Sequence, residues 1–346
     1  MKKVGIIGHF GFGHDLLNGQ TIKTKIVSNE IEKRVGHEEI VRIDTRGGLL
    51  TLIRLPILLL CALGSFRNVI VMPAQNGLRI IAPLLVLFNF LFRRKIHYVV
   101  VGGWLPEFLL NKGLLTKLLK YFSGIYVETK TMKSCLNSMG FGNVVVMPNF
   151  KDLKILNESE LSKEKKEAFR FCTFSRVMKE KGIEDAVAAI KIVNGRFGKK
   201  VCSLDIFGQI DESQIVWFDK LKSEFPEYIQ YRGMIPFDKS VDVLREYDIL
   251  LFPTFYKGEG FPGTLIDAYA AGVPVIASDW HYNKELVENG ADGFIVPVKK
   301  VNELAMKIEW CVNNQELIYQ MKRNCLEKAQ IFSPDQAIKP LMAMLG

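Results

Sequence analysis

The densest chemistry lies at Gly258-Glu259-Gly260-Phe261-Pro262-Gly263-Thr264, followed by Leu265-Ile266-Asp267. Glu259 sits in a glycine loop, and Asp267 falls about one turn into the helix that follows. That helix start offers backbone N–H groups from Phe261 to Thr264 to a phosphate or a sugar. Two carboxylates beside a phosphate site are ill suited to phosphate itself. They suit hydroxyl groups, such as those of a sugar ring and a ribose. Upstream, Arg176 and Lys181 stand five residues apart between a strand and a helix. Arginine can fork onto phosphate oxygens and lysine supplies a point charge, so the two can neutralise a diphosphate without a metal. A solvated charged loop is the plainer reading of such a run, but its place after a strand end favours phosphate. Near the N-terminus, Gly8-His9-Phe10-Gly11-Phe12-Gly13 departs from GxGxxG spacing, and a tight turn explains it equally well. Asn18-Gly19-Gln20-Thr21 then opens a helix whose unpaired N–H groups favour an anion.

Alternating elements must position these residues. Strand-like runs at Lys3–Ile7, Glu39–Ile43, Val69–Met72, Ile96–Val101, Gly124–Glu128 and Val144–Met147 are separated by helical runs. The pattern restarts at Phe169–Phe174 and continues through Val201–Phe207, Ile229–Tyr231, Ile249–Phe252 and Val273–Ala277. Helices are expected at Phe237–Glu246 and Thr264–Ala271, among others. Such alternation predicts α/β architecture: two doubly wound, parallel-sheet, Rossmann-like domains facing across a cleft, with ligands at the carboxyl ends of strands. The expected domains are 1–150 and 151–332, with a polar linker at Lys151–Lys166. A break at Ser333-Pro334 would let a terminal helix, about 333–346, pack back on the first domain.

Composition narrows the classes. The chain has 346 residues, 48% hydrophobic and 24% charged, as a globular protein does. Net charge is +9, yet residues 1–150 hold 19 Lys+Arg against 8 Asp+Glu and the remainder 27 against 29. A basic first half suggests an anionic partner. Without a zinc finger or an RNP-like aromatic motif, nucleic acid is not the partner we expect. Leu49–Leu63 and Ile80–Phe92, the latter before Arg93-Arg94-Lys95, fall short of the ~20 clean apolar residues of a spanning helix. They read either as buried core helices or as interfacial helices on an anionic membrane surface. The Met1-Lys2-Lys3 start is too briefly apolar for a signal peptide, which predicts a cytoplasmic protein. Six scattered cysteines show no zinc spacing and read as buried thiols.

The Glu259-x7-Asp267 segment, leading into Ala271-Gly272-Val273-Pro274-Val275-Ile276-Ala277-Ser278, resembles the signature of glycosyltransferase family 4 (group 1), of the GT-B type. Arg176 to Lys181-Gly182 resembles that family's R-x4-K-G phosphate motif. Gly19-Gln20-Thr21 resembles its N-terminal glycine loop, and Pro148-Asn149 its interdomain junction. Ile229–Phe237 resembles a stretch whose backbone, here at Gly233 and Met234, meets the base. The likeness is dense from Phe171 to Pro297 and thin before residue 150. Two departures stand out. Asp267 replaces a glutamate. The place of the family's first-domain histidine reads Val101-Gly102-Gly103-Trp104-Leu105-Pro106-Glu107, leaving Trp104 and Glu107 as acceptor-side candidates; His97 lies inside a strand.

The resemblance implies metal-independent, retaining transfer of a sugar from a nucleotide-sugar, with UDP favoured, to a glycan or lipid-linked hydroxyl in surface polysaccharide assembly. Arg176 and Lys181 would stabilise the departing diphosphate. Glu259 would hold the donor sugar and Asp267 the ribose. Gly19, Gln20, Gly233, Met234, Phe261, Pro262, Gly263 and Thr264 complete the donor set. A peripheral position at the inner face of the plasma membrane would suit the basic first domain. The rivals are a nucleotide-sugar epimerase and a non-catalytic glycosyltransferase-like binding subunit.

Overall fold

The computed structural model describes residues 2–12, 19–45, 48–162 and 167–346. It divides into two units, Met1–Asn149 with Pro334–Gly346, and Phe150–Ser333.

The first unit holds β1 (Lys2–Gly8), β2 (Ile40–Asp44), β3 (Phe66–Met72), β4 (Lys95–Val99), β5 (Gly124–Val127) and β6 (Val144–Val146), in the order β2-β1-β3-β4-β5-β6. Every pairing is parallel. Val69, Ile70, Val71 and Met72 are all fully buried, because helices cover both faces of a parallel sheet and leave no residue of a central strand to face water. The order reverses between β1 and β3, which makes their carboxyl ends the switch point of this unit. The chain's last helix, Lys339–Leu345, belongs to this unit. Asn68 Nδ2 donates to Leu345 O (3.2 Å), and Lys95 Nζ to Met344 O (3.2 Å).

His97, on β4, is fully buried. Its Nε2 lies 3.3 Å from Asn68 Oδ1, and the Tyr126 hydroxyl lies 3.2 Å from its Nδ1. Burial pushes its pKa down from 6.5 to about 4. The unfolded chain therefore takes the proton first as pH falls. Stability that is complete above pH 6.5 is lost as pH drops from 6.5 toward 4, by about 3 kcal/mol at 1.36 kcal/mol per unit. A His97→Gln variant is expected to flatten that loss, which urea unfolding at pH 7 and pH 4.5 will measure.

The second unit holds β7 (Phe169–Phe174), β8 (Cys202–Phe207), β9 (Ile229–Gly233), β10 (Ile249–Phe252), β11 (Val275–Ser278) and β12 (Gly293–Val296), all parallel, in the order β12-β11-β10-β7-β8-β9. Helices Ile183–Phe197 and Val301–Asn313 pack together, as do Gly263–Ala270 and Gln315–Ala329. The switch point here lies between β7 and β10.

Several elements differ from the sequence expectation. The strand expected from Val273 starts at Val275, because the Val273 N–H closes the preceding helix on Ala268 O (2.8 Å). The helix expected over Phe237–Glu246 is a 3₁₀ turn, Phe237–Lys239, and a short helix, Ser240–Leu244. Helices Leu105–Leu109 and Ile215–Ser223 and strand β12 were not anticipated. Cys61 and Cys135 are exposed rather than buried; the other four thiols lie in the core.

Candidate functional site

At the carboxyl end of β7 the chain turns through Ser175, Arg176, Val177 and Met178 into the 3₁₀ turn Lys179–Lys181. Gly182 follows in the left-handed region (φ 71°) and opens the helix Ile183–Phe197. A Cβ there would stand 2.2 Å from Pro253 O, so the segment after β7 lies flush against the segment after β10. Phe255 N–H donates to Glu180 O (2.7 Å) and fixes that contact. In consequence Lys181 Nζ reaches Glu259 Oε2 (2.5 Å). Thr254 Oγ1 donates to the same oxygen (2.9 Å) and accepts from Tyr256 N–H (3.2 Å). Glu259 is 8% exposed. Two donors converging on one oxygen supply the satisfaction that a buried carboxylate needs.

Arg176 is half exposed and lies 3.5 Å from Asp211. The Asp211 carboxyl is lowered by the Ser213 hydroxyl and N–H, with the Arg176 charge adding to them. The Tyr256 ring is shared by both cations, 5.7 Å from the Arg176 guanidinium carbon and 5.0 Å from Lys181 Nζ. Trp280 Nε1–H donates to Tyr256 O (2.8 Å) and holds that loop. Gly208 allows the third approach: at φ 135° its Cβ would meet Ser175 O at 1.8 Å. Its N–H donates to Gly233 O (2.9 Å), which draws the end of β9 and the exposed Met234 toward β8.

The helix Gly263–Ala270 begins without a side-chain cap on Pro262. The Thr264 hydroxyl donates to Phe174 O (2.7 Å) and ties the helix start to β7. Phe261 is core: its ring meets Phe332 edge-on at 4.9 Å, so any ligand would meet its backbone rather than its ring. Asp267, 2% exposed, accepts from Lys151 Nζ on Oδ2 (2.6 Å) and from Ser240 Oγ on Oδ1 (3.0 Å). The structure thus brings Arg176, Lys181, Glu259 and Thr264 to one strand-end edge, while both Asp267 oxygens are already engaged. Sequence reading missed Thr254, Lys151 and Ser240. Lys151 had the one usable signal, a cation directly after Pro148-Asn149-Phe150.

In the first unit, the switch point gathers His9, Gln20, Thr21 and Asp44. His9 Nδ1 lies 2.9 Å from Thr21 Oγ1, and Gln20 Nε2 donates to Met72 O (2.5 Å). Asp44 accepts the Phe10 and Phe12 N–H groups (3.1 and 3.0 Å) and shapes the glycine turn. Gly19 is the first residue of the helix Gly19–Val35. Gly13 and Asn18 lie outside the described residues. Trp104 donates from Nε1 to Val101 O (2.8 Å), and Glu107 is exposed on the short helix Leu105–Leu109. The carboxylate against the sheet is Glu128, just past β5, which pairs with Lys23 and accepts from Gly102 N–H (3.3 Å).

Residues 168–314, which include Arg176, Lys181, Glu259 and Asp267, match the family model of the glycosyl transferases group 1. Over 137 residues the chain is 28% identical to the UDP-N-acetylglucosamine–peptide N-acetylglucosaminyltransferase GtfA subunit of Streptococcus pneumoniae, covering 39% of this chain and 26% of that protein. It is also 28% identical over 146 residues to the capsular polysaccharide biosynthesis glycosyltransferase CapM of Staphylococcus aureus, covering 41% of this chain and 36% of CapM. Among solved structures, Anabaena HepE in complex with UDP superposes with a TM-score of 0.77 at 16% identity, covering 100% of this chain and 99% of that one. At that identity the likeness speaks for the fold. Residues 168–314 therefore resemble the glycosyl transferases group 1, within a chain of GT-B fold.

Proposed function

We propose that this chain is a retaining, metal-independent glycosyltransferase. It takes a sugar from a nucleotide-sugar, with UDP favoured, and passes it to a hydroxyl of a glycan or lipid-linked acceptor in surface polysaccharide assembly, acting from the cytoplasmic side. The observation that carries this reading is the Lys181–Glu259–Thr254 cluster beside Arg176, held at the carboxyl ends of β7 and β10. Lys181 commits one of its three protons to Glu259 and keeps two to donate to a diphosphate. Arg176 adds a forked donor from a more exposed position. Together they would stabilise negative charge on the departing nucleotide. Glu259, fixed on one oxygen by Lys181 and Thr254, keeps Oε1 to accept from a sugar hydroxyl. Relatives that act on UDP-N-acetylglucosamine or build capsule support the donor and the setting.

The test is nucleotide release from a panel of UDP- and GDP-sugars, with and without EDTA. Release from one donor, unchanged by EDTA and lowered to below a tenth in Glu259→Ala and Arg176→Ala, is the expected result. Neither release nor nucleotide binding with any donor would instead assign a non-catalytic binding role.

A further inference from the structure

We infer that the outer face of three helices in the first unit, Gly48–Ser65, Gln75–Phe92 and Gly113–Leu119, docks on an anionic lipid bilayer. The crossovers from β2 to β3, β3 to β4 and β4 to β5 all run the same way across the sheet. Right-handed connections therefore lay these helices on one face, where neighbours pack against each other. Gln75–Phe92 buries Leu78, Ile81, Ala82, Leu85 and Val86 toward the sheet. Past the exposed Gln75, Asn76 and Arg79 of its first turns, its opposite side is also apolar, with Leu87 62%, Phe90 69% and Leu91 81% exposed. A helix apolar all round is expected only inside a large core or in contact with lipid. This helix is long and apolar enough to cross a membrane, but its inner stripe is committed to the sheet, so it lies flat. The neighbours continue the pattern. Ile53 and Ile57 are exposed one turn apart on Gly48–Ser65, as are Leu114 at the start of the third helix and Leu110 in the turn before it.

Charge decides what covers this face. Residues 45–127 contain ten Lys+Arg and a single acid, Glu107. Arg54, Arg67, Arg93, Lys117 and Lys120 are exposed, and none of them has an acidic partner among the described residues. Leucine and isoleucine in the acyl boundary with lysine and arginine at the headgroups match an anionic bilayer. A nucleic acid would leave the leucines in water, and a second copy would bring the same positive charge against itself.

The inference is independent of donor chemistry, so its test uses flotation alone. The purified full chain is mixed at low salt with vesicles of phosphatidylglycerol and phosphatidylcholine in equal parts, or of phosphatidylcholine only. It is expected to float with the anionic vesicles and much less with the neutral ones. Leu87→Ser with Leu91→Ser should weaken partition about tenfold or more. Arg93→Gln with Lys117→Gln should weaken it about 25-fold, at about 1 kcal/mol for each neutralised charge. All four positions are exposed, so circular dichroism should match wild type. No flotation with anionic vesicles overturns the inference. So does flotation that is indifferent to the leucine variant, which would mean electrostatic adherence without a docking face. A dimer dispersed by Leu87→Ser with Leu91→Ser, in a chain that ignores lipid, would assign the face to self-association.

Discussion

Replacing Lys181 with methionine is expected to lower donor turnover by about 10²–10³-fold, the size of effect seen when one preorganised donor to a developing anion is removed. Methionine keeps much of the side chain's length and loses the ammonium that lies near the Phe252 and Tyr256 rings, so the change is mainly one of charge. It also leaves Glu259 with Thr254 as its remaining partner on Oε2. Breaking a buried pair from one side costs about 3–5 kcal/mol, so lost folding must be separated from lost chemistry. The double variant Lys181→Met with Glu259→Gln removes the stranded charge. Stability should recover while turnover falls well below that of Glu259→Gln alone, because nothing has replaced the cation proposed to meet the diphosphate. A double variant that turns over as fast as Glu259→Gln alone would reduce Lys181 to a counter-ion for Glu259. Urea midpoints and nucleotide release, measured on the same preparations, distinguish the two.

The parts of this arrangement that follow local rules were legible in the sequence. β10 (Ile249–Phe252) is a short apolar run with no polar residue to face water, and a fully buried parallel strand looks like that; β7 keeps the pattern apart from Arg170 and the buried Thr173. Gly182 after Lys181 and Gly263 before Thr264 mark the turns that end one element and begin the next. Pairing across the sheet was not legible. Glu259 was read beside a sugar and Lys181 beside a phosphate, and nothing in their spacing showed that they bond to each other. That contact depends on Gly182 lying against Pro253, a close approach set by sheet order rather than by sequence distance. Lys151 was hidden for a related reason. It sits in a polar stretch without periodicity, where a cation ordinarily faces solvent, and its partner is 116 residues away. The apolar helices of the first unit failed differently. Composition offered burial or a membrane surface as alternatives, whereas each helix has one apolar side facing inward and another facing out.

Lys151→Met is expected to cost the second unit about 3–5 kcal/mol, because it strands the Asp267 carboxylate, 2% exposed, with the Ser240 hydroxyl as its remaining donor among the described residues. Asp267→Leu alone should cost a similar amount by stranding Lys151, whose Nζ also lies 4.8 Å from the Phe237 ring. Combined, the two changes remove both charges and fill the space with apolar atoms, so most of that loss should return. Stability alone therefore shows a buried pair. Nucleotide affinity shows what the pair is for. If Asp267 accepts ribose hydroxyls, with Lys151 releasing an oxygen to them, the stable double variant loses one or two charge-assisted hydrogen bonds. At about 1.5–3 kcal/mol each, UDP affinity falls at least tenfold. If the pair only braces the segment after Asn149 against the helix Gly263–Ala270, affinity tracks stability and returns in the double variant. Calorimetry with UDP on the single and double variants, set beside their urea midpoints, decides between these roles. A double variant that is stable and binds UDP as tightly as wild type removes Asp267 from the donor site and leaves nucleotide recognition to Arg176, Lys181 and the backbone at Gly233 and Thr264.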